Sequence, residues 1–517
     1  MVDVVALGLV AHLGLLLLPL PFGRDQGIYA YGGSLILRGE VLYLDTWQNP
    51  APAIYWTYAL AEWFFGHSIM SIRIVEWVAL LAGCWLAARV AATLFGRGAG
   101  YAAMAAYALL YVPLDPWFSA QAECFANVFS LAGLYLLVRR GDGHQRWRLV
   151  VAGGLFGAAL CYKPTLALWP LALVLWLALS RRKEAWAHGL LDAVSFAAGV
   201  GAVLAAAAAY FVATGALGEL VSQVGTFNMV IYRETARHAS WGAWVRDMVD
   251  DTLASLFSIG WAGFSILAIA STLWLVATRT ARKPAPVLLM GVAAVLAVYA
   301  QPHQWIYHWI PIFPYTAILA GTALAATIRG LREAPDRLHT WIAITVLALG
   351  VAGSVWPCLV RAGDVIRIAV GLKSPTEFYE RFSTYGRGDF SFLAEMEVAD
   401  YLRAHTMPED FVQVWGFEAG INFLADRRCP TRFSIILPFV IDRKGHPLTQ
   451  RWFADFLRDL DLRRPLYFIV VEQDYNPVQR VDSKTALSWY PQLVERLKTQ
   501  YQVETVIEHF TLYRRVD

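Results

Sequence analysis

Pro21-Phe-Gly-Arg-Asp-Gln-Gly-Ile-Tyr-Ala-Tyr is the stretch around which the rest of this chain is organised, because it is the first polar loop after a long apolar run. A second polar segment, Tyr43-Leu-Asp-Thr-Trp-Gln-Asn-Pro-Ala-Pro-Ala-Ile-Tyr, follows it closely. Together they place Asp25 and Asp45 beside Arg24, several aromatic residues and a cluster of prolines. A carboxylate just outside an apolar helix is solvated by water, so its position alone does not make it functional.

The composition is that of an integral membrane protein. The chain has 517 residues, of which 57% are hydrophobic and 16% charged, and its mean hydropathy is +0.45. Soluble domains carry about 25% charged residues. The net charge is +3, but Lys and Arg occur in short clusters between apolar runs, so we predict a lipid bilayer as a partner and no nucleic acid. The five cysteines lack the paired spacing of a zinc site or a disulfide framework.

Apolar runs near the length that crosses a bilayer predict about eleven transmembrane helices. They lie at residues 4–21, 70–95, 99–113, 121–138, 148–163, 165–180, 187–212, 252–277, 286–301, 310–328 and 340–358. The first run has no small-residue cleavage site, so we expect it to be retained as a helix. The topology depends most on Tyr162-Lys-Pro, where a charge and a helix breaker cut one long apolar stretch in two.

The charges between these runs predict which side of the membrane each loop faces. If the first helix exits away from the cytoplasm, every basic cluster falls on the cytoplasmic side, as the positive-inside rule requires. These clusters are Arg97, then Arg139, Arg140, Arg146 and Arg148, then Arg181, Arg182 and Lys183, then Arg279, Arg282 and Lys283, then Arg329, Arg332 and Arg337. An odd number of spans then places the C-terminal part outside the cytoplasm.

Acids, histidines and isolated cations sort to the opposite, extracytoplasmic side. They are Asp25, Asp45, Asp115, Glu123, Lys163, Arg233, Asp250, Asp251, His303 and His308. Loops that only had to be soluble would not need this sorting. The pattern therefore indicates one outward-facing site assembled from several loops.

After Cys358 the pattern changes to alternating helices and strands. Helical periods lie at residues 392–402, 452–460 and 486–499, and strand patterns at 411–415, 466–471, 503–507 and 511–513. This alternation predicts a small α/β domain with a largely parallel sheet, and no Gly-x-Gly-x-x-Gly turn indicates a nucleotide. We predict a transmembrane domain at 1–358 with its first outer loop at about 21–69, a linker at 359–389 and an extracytoplasmic α/β domain at 390–517.

Several short motifs stand in a fixed order along the chain. They are Asp25-Gln-Gly-Ile-Tyr-Ala-Tyr and Tyr43-Leu-Asp-Thr-Trp-Gln-Asn-Pro-Ala-Pro in the first loop, Gln121-Ala-Glu-Cys-Phe, Tyr162-Lys-Pro, Tyr307-His-Trp-Ile-Pro-Ile-Phe-Pro, and Val414-Trp-Gly-Phe-Glu with Phe423-Leu-Ala-Asp-Arg-Arg. Together they resemble the GT-C superfamily of membrane glycosyltransferases, over nearly the whole chain. The most similar branch includes protein O-mannosyltransferases and lipid A aminoarabinose transferases.

The resemblance implies a polytopic α-helical membrane protein with the GT-C fold and a C-terminal α/β extracytoplasmic domain, located in a bacterial inner (plasma) membrane. It implies an inverting glycosyltransferase that moves a sugar from a polyprenyl-phosphate carrier to an acceptor on the outer face. The acceptor is a protein, a lipid or a polysaccharide, and the sequence does not distinguish among them.

The resemblance also implies roles for individual residues. Asp25 matches the first-loop acid, a general base that removes the acceptor proton. Lys163 and His308 match positions where the family carries a cation and a histidine, which would neutralise the charge of the leaving phosphate. Arg233 is a weaker addition to this set, and Glu123 matches a second acid that orients a cation or the acceptor. Asp45 completes the predicted binding residues.

Two departures from the family pattern lie in the first loop. Relatives often carry an acid where this chain has Gln26, and a Lys-Pro-Pro run where it has Asn49-Pro-Ala-Pro. The resemblance therefore does not imply that this loop holds the carrier phosphate. Asp45, Asp250 and Asp251 offer oxygen ligands for a divalent ion, but they form no compact motif. We expect no cofactor, and a metal is not favoured.

Two other functions remain open at this point. The first is a polytopic transporter or flippase for a lipid-linked or anionic sugar, whose polar residues would form a substrate pathway. The chain shows no inverted repeat, and its polar residues fall at outer helix ends rather than at the bilayer midplane, which favours the enzyme. The second is a relative that binds the donor without catalysis, against which the intact Asp25 argues.

Overall fold

The computed structural model describes residues 2–139, 146–179, 186–236, 240–256, 260–333, 337–384, 390–442, 445–475, 478 and 481–516. Four residues of the predicted cytoplasmic clusters lie outside these ranges: Arg140, Arg181, Arg182 and Lys183. The chain divides into two compact units. The helical unit comprises residues 1–19, 73–209 and 238–366, and the loop-sheet unit comprises residues 20–72, 210–237 and 367–517.

The described residues are mostly helical. In chain order the α-helices are α1 (Val2–Gly14), α2 (Arg24–Leu37), α3 (Ala53–Phe65), α4 (Ile69–Phe95), α5 (Arg97–Tyr111), α6 (Ala122–Val138), α7 (Arg146–Tyr162), α8 (Leu168–Leu179), α9 (Trp186–Ala213), α10 (Leu217–Leu220), α11 (Trp241–Leu256), α12 (Ala262–Ala277), α13 (Ala285–Tyr299), α14 (Phe313–Glu333), α15 (Arg337–Ala369), α16 (Pro375–Glu380), α17 (Phe392–His405), α18 (Gly420–Ala425), α19 (Leu437–Ile441), α20 (Pro447–Arg463), α21 (Ser483–Leu487) and α22 (Pro491–Gln500). Short 3-10 helices lie at Leu15–Leu17, Pro164–Ala167, Tyr232–Ala236 and Ile306–Ile312, and a π-helix at Val221–Ile231.

Three helical segments among the described residues are long and apolar enough to cross a membrane: Ile69–Phe95, Trp186–Ala213 and Ile306–Gly330. Shorter apolar helices lie at Val2–Leu17, Ala122–Val138, Pro164–Leu179, Ala262–Ala277 and Ala285–Tyr299. The predicted run 252–277 is not one helix, since Gly260 and Trp261 form a turn immediately before α12 begins at Ala262. The count of about eleven spans stays a prediction.

The predicted break at Tyr162-Lys-Pro is confirmed. Helix α7 ends at Tyr162, Lys163 adopts an extended backbone with φ −152° and ψ 105°, and a 3-10 helix starts at Pro164. The proline ring excludes the helical conformation for the residue before it, so the chain must leave the helix at Lys163. The break gives Lys163 a position between two helical segments.

Glycine lets two helices of the helical unit approach closely. A Cβ on Gly321 of α14 would lie 2.6 Å from the backbone nitrogen of Ala103 in α5, too close for any other residue. Small residues at such crossings are typical of membrane helix pairs, where close backbone packing replaces the hydrophobic effect as the driving force.

A buried ion pair lies at the start of α4, inside a run that the sequence presents as apolar. Arg73 Nη1 donates to Glu76 Oε2 at 2.8 Å and to Ser119 Oγ at 2.9 Å. The other Glu76 oxygen accepts from the Tyr111 hydroxyl and from the Ala120 backbone, each at 2.7 Å. The pair therefore ties α4 to the loop that leads into α6.

Removing one member of this pair is expected to destabilise the helical unit strongly. Glu76→Ala leaves the buried Arg73 guanidinium without its carboxylate, which costs about 3–5 kcal/mol. Thermal unfolding in detergent measures the effect. Asp3→Asn is the matched control, because that carboxylate is exposed and accepts only a hydroxyl hydrogen bond from Tyr101 among the bonds described, and it should change stability by less than about 0.5 kcal/mol. Equal melting of both variants would contradict the prediction.

The loop-sheet unit contains a four-stranded sheet of order β1-β2-β4-β3. Its strands are β1 (Val412–Trp415), β2 (Tyr467–Val471), β3 (Tyr501–Ile507) and β4 (Phe510–Arg515). β1 and β2 are parallel, joined through α20, but the other two pairings are antiparallel. The prediction of a largely parallel sheet was therefore wrong, because β3 and β4 form a hairpin through a turn at Glu508, whose φ is 45°, and a hairpin can only pair antiparallel.

The sheet has a continuous apolar core. All residues of β1 and β2 are buried, as expected for strands covered on both faces. One core cluster joins α17 and α18 to the strands through residues such as Val398, Ile421 and Ile469. The predicted helix at 486–499 is two helices, α21 and α22, because Pro491 has no backbone N–H and starts the second one.

Candidate functional site

Glu123 and Lys163 form an ion pair in the helical unit. Lys163 Nζ donates to Glu123 Oε1, and the side chains are 15% and 1% exposed. Glu123 lies in the first turn of α6, where the helix dipole favours a negative charge. Lys163 occupies the break between α7 and the following 3-10 helix. A buried carboxylate thus holds an ammonium group that stays partly exposed.

Tyr307 connects this pair to His308. Lys163 Nζ lies 5.6 Å from the centre of the Tyr307 ring, in a cation–π arrangement, and the Tyr307 ring packs edge-on against His308 at 4.6 Å. His308 Nδ1 donates to the His303 carbonyl at 2.8 Å, so in its neutral form the ring carries its lone pair on Nε2. The structure therefore brings together three of the predicted residues, Lys163, Glu123 and His308.

Asp25 lies in the loop-sheet unit, in the first turn of α2, and is half-buried. The turn is capped by Gln26, whose Oε1 accepts from the Gly23 backbone at 3.0 Å. This hydrogen bond gives Gln26 a structural role at the start of α2. The cap leaves the Asp25 carboxylate at the positive end of the helix dipole.

Aromatic rings surround the first turns of α2 and α3. Tyr29 packs edge-on against Tyr55 at 5.7 Å and against Tyr58 at 5.6 Å. Burial, the neighbouring Tyr43 and the charge of Asp25 raise the pKa of Tyr55 well above its usual value. The Tyr55 hydroxyl donates to Gln48 Oε1 at 2.7 Å. Asp25 therefore lies near a cluster of aromatic rings in which the Tyr55 phenol stays protonated.

Asp45 and Arg233 also belong to the loop-sheet unit. The Asp45 carboxylate is exposed and accepts from the backbone of Val41 at 2.6 Å, which closes its own loop. Arg233 is exposed on the 3-10 segment Tyr232–Ala236 and forms no hydrogen bond or ion pair with any residue in the described ranges. The contacts of Asp45 are those of a loop-forming residue, while Arg233 presents an uncompensated charge within the described part of the chain.

Part of the chain matches a known protein family, and nearly all of it is similar to solved structures. A family described as dolichyl-phosphate-mannose-protein mannosyltransferase matches residues 49–198. The crystal structure of ArnT from Cupriavidus metallidurans bound to undecaprenyl phosphate has a TM-score of 0.62 at 15% identity, over 99% of this chain and 97% of that chain. Its apo form has a TM-score of 0.62 at 14% identity, over the same shares of 99% and 97%. Among curated protein sequences, none matches this chain.

The chain has the fold of the GT-C superfamily. The resemblance predicted from the sequence is thereby confirmed, and the match includes both the helical part and the C-terminal sheet because it covers almost the whole chain. The oligosaccharyltransferase of Archaeoglobus fulgidus, tethered to an acceptor peptide, is also similar, with a TM-score of 0.51 at 12% identity over 99% of this chain and 74% of that chain. At these identities the likeness establishes the fold.

Asp45, Asp250 and Asp251 are the oxygen ligands that the sequence offers for a divalent ion. In the described ranges, no group of three or more His, Cys, Asp or Glu side chains could hold a metal ion. Asp45 lines a cavity together with Glu40, Arg428, Arg432 and Arg463, in which Arg428 pairs with Glu40 and Arg432 pairs with Glu219 and Asp455.

His67, in the first loop, was not among the site residues predicted from the sequence. Its Nδ1 lies 2.7 Å from Glu62 Oε1, and its Nε2 lies 2.8 Å from the Phe423 carbonyl of α18. Both partners are acceptors, so the ring satisfies both only when it is doubly protonated. Burial lowers the pKa of His67, but the hydrogen bonds to Glu62 and Phe423 and the charges of Glu62 and Asp426 outweigh it, so the pKa is raised.

His67 predicts a pH dependence for the loop-sheet unit. Because the folded pKa lies above the unfolded one, its contribution to stability is complete below about pH 6.5 and is lost as the pH rises through the folded pKa. Thermal unfolding of the parent and of His67→Gln across pH 5 to 9 measures it. The parent should be more stable than the variant at acidic pH, and the difference should shrink as the pH rises. A difference that grows with pH would contradict this assignment.

Proposed function

We propose that this protein is an inverting glycosyltransferase of the outer face of a bacterial inner membrane, with a polyprenyl-phosphate-linked sugar as donor. The observation that carries the proposal is the likeness, over almost the full length, to ArnT held on undecaprenyl phosphate. The polar residues at the α7 break and in the first loop supply the chemistry that such a donor needs. The acceptor is a protein, a lipid or a polysaccharide, and the C-terminal α/β domain at 390–517 faces outward in this proposal.

Asp25 is the proposed general base. In the reaction, an acceptor hydroxyl or amine attacks the anomeric carbon of the sugar, and its proton passes to the Asp25 carboxylate. The bond between the anomeric carbon and the phosphate oxygen breaks on the opposite side, so the configuration inverts. The position of Asp25 in a capped helical turn supports this role, because a general base must be held in a fixed direction.

Lys163 is the proposed cation for the leaving phosphate. As the bond to phosphate breaks, negative charge grows on the phosphate oxygens, and a fixed ammonium group stabilises it. The ion pair with Glu123 supports this role, since a buried carboxylate holds the ammonium in place before the donor arrives. The Tyr307 ring borders the same ammonium group and packs against the His308 ring. Arg233 and Asp45 remain proposed substrate-binding residues of the loop-sheet unit.

The test is transfer by the purified protein in detergent. The protein is offered a panel of polyprenyl-phosphate sugars with crude envelope acceptors, with and without EDTA. We expect one donor to turn over with inversion, and EDTA to have no effect, because Lys163 supplies the positive charge that a metal would otherwise provide. Donor binding without turnover would support a non-catalytic relative. Movement of a donor across vesicle bilayers without transfer would support the flippase and overturn the proposal.

A further inference from the structure

Two acids stand at the carboxyl ends of the two parallel strands of the loop-sheet unit. Glu418 follows β1 and is 1% exposed, and Asp474 follows β2 and is completely buried. Ligands of α/β sheets bind at this edge, beyond the carboxyl ends of the parallel strands. In this chain the edge is occupied by part of the chain itself.

The occupant is the guanidinium group of Arg24, from the first loop. Arg24 Nε donates to Glu418 Oε1 at 2.7 Å, and the guanidinium lies 5.6 Å from the centre of the Phe390 ring. The other Glu418 oxygen accepts from the backbone of Phe417 at 2.8 Å, which fixes the carboxylate. Glu418 therefore holds Arg24 from a rigid turn of the α/β domain.

Glu395 joins Glu418 and Asp474 in an acidic site around Arg24. Glu395 in α17 is 2% exposed, and its Oε1 is buried without a hydrogen-bond partner in the described structure. Burial, together with the charge of Glu418, raises the pKa of Glu395 well above its usual value. Burial and Glu418 also raise the pKa of Asp474 to about 7, although Asp474 accepts two hydrogen bonds from Ser483. Glu418, Asp474 and Glu395 each interact electrostatically with Arg24, so the three acids form a buried set around one cation.

The backbone of α2 is held at the same place by a second contact. A Cβ on Gly27 would lie 2.8 Å from the Cα of Gly420, so the first turns of α2 and α18 touch directly. A Cβ on Gly420 would lie 2.5 Å from Glu395 Oε2. A side chain at Gly27 would therefore force α2 and α18 apart, whereas a side chain at Gly420 would displace the Glu395 carboxylate.

We propose that the α/β domain is a positioning element for catalysis: its acidic site binds Arg24 and thereby fixes the helical turn that carries Asp25. Arg24 and Asp25 are consecutive residues, and Gly27 of the same turn packs against Gly420. This inference rests on the proposed role of Asp25. Displacement of a catalytic group by about 1 Å can cost about 100-fold in rate, so the contact would act on kcat more than on donor affinity.

Three variants of the full-length protein in detergent test the proposal. Glu418→Gln removes the charge that binds Arg24, and Gly27→Ala displaces the α2 turn without changing any charge. Glu472→Gln is the matched control, since Glu472 lies in the same domain and pairs with the exposed Lys484. For each variant we would measure amide hydrogen exchange of residues 24–31, the melting temperature, and kcat and KM for the donor.

We expect Glu418→Gln and Gly27→Ala to accelerate exchange in residues 24–31 and to lower kcat by about 10- to 100-fold, with donor KM within about two-fold of the parent. Glu472→Gln should match the parent in every measurement. If both variants exchange faster in residues 24–31 but keep the parental kcat, the α/β domain does not position Asp25 for catalysis. If exchange in residues 24–31 is unchanged, the acidic site does not hold the α2 turn. If Glu418→Gln fails to fold, the exchange rates and kcat of Gly27→Ala alone test the positioning role. If the parent transfers no sugar, the proposed function fails, and the exchange data still decide whether the domain holds α2.

Discussion

Asp25→Asn is expected to abolish sugar transfer while donor binding persists. The amide has nearly the shape of the carboxylate but cannot accept the acceptor proton, and loss of a general base typically costs about 10²- to 10⁴-fold in rate. The turn itself should survive, because the hydrogen bond from the Gly23 backbone to Gln26 does not involve Asp25. The variant therefore separates the chemical step from the folding of the first loop.

The measurement is kcat for transfer beside a direct binding assay with the same polyprenyl-phosphate sugar. Asp461→Asn serves as the control, because Asp461 is 66% exposed on α20 and pairs with Arg496, and the charge change is the same. It should leave kcat unchanged. Turnover by Asp25→Asn at the parental rate would remove Asp25 as the base, whereas loss of donor binding in this variant would give it a binding role instead.

Local patterns in the sequence were sufficient to predict where most of the helices lie. Apolar runs predicted the helices from α4 to α9 to within a few residues, because a run of about 20 apolar residues has few stable alternatives in a bilayer. The same local chemistry predicted the break at Lys163, since proline restricts the residue before it. The association of Lys163 with Glu123 and His308 was predicted from the order of family motifs, and the structure brings these residues together.

Contacts between distant segments could not be predicted in this way. Arg24 and Glu418 are separated by 394 positions, and neither local periodicity nor charge pattern relates them. The first loop was predicted as a polar connection of the membrane domain, but in the structure it belongs to the same compact unit as the sheet. Strand direction was also missed, because alternation of helices and strands does not reveal that the last two strands form a hairpin.

The buried ion pair inside an apolar run was also not predicted. Arg73 and Glu76 fall in the run at 70–95, where averaging over about 20 residues hides them. The sequence signal that could have predicted the pair is the spacing of three residues between Arg73 and Glu76, because side chains three apart on a helix are neighbours. Its burial depends on Ser119 and Tyr111, which lie far along the chain.

Lys163→Met is expected to lower transfer by about 10²- to 10³-fold, as for loss of a fixed group that stabilises transition-state charge. Stability should fall as well, because Glu123 is 1% exposed and would be buried without its cation, a change that costs about 3–5 kcal/mol. A loss of activity in this variant alone would therefore have two explanations, one chemical and one structural.

The double variant Lys163→Met with Glu123→Leu separates them. Replacing a buried ion pair by apolar side chains of similar size is often neutral for stability, so the melting temperature should return close to that of the parent. If Lys163 binds the leaving phosphate, transfer should stay as low as in Lys163→Met, and weaker binding of the polyprenyl-phosphate donor should accompany it. If the pair only holds α6 to the α7 break, transfer should return together with the melting temperature, and Lys163 would then have no role in the reaction.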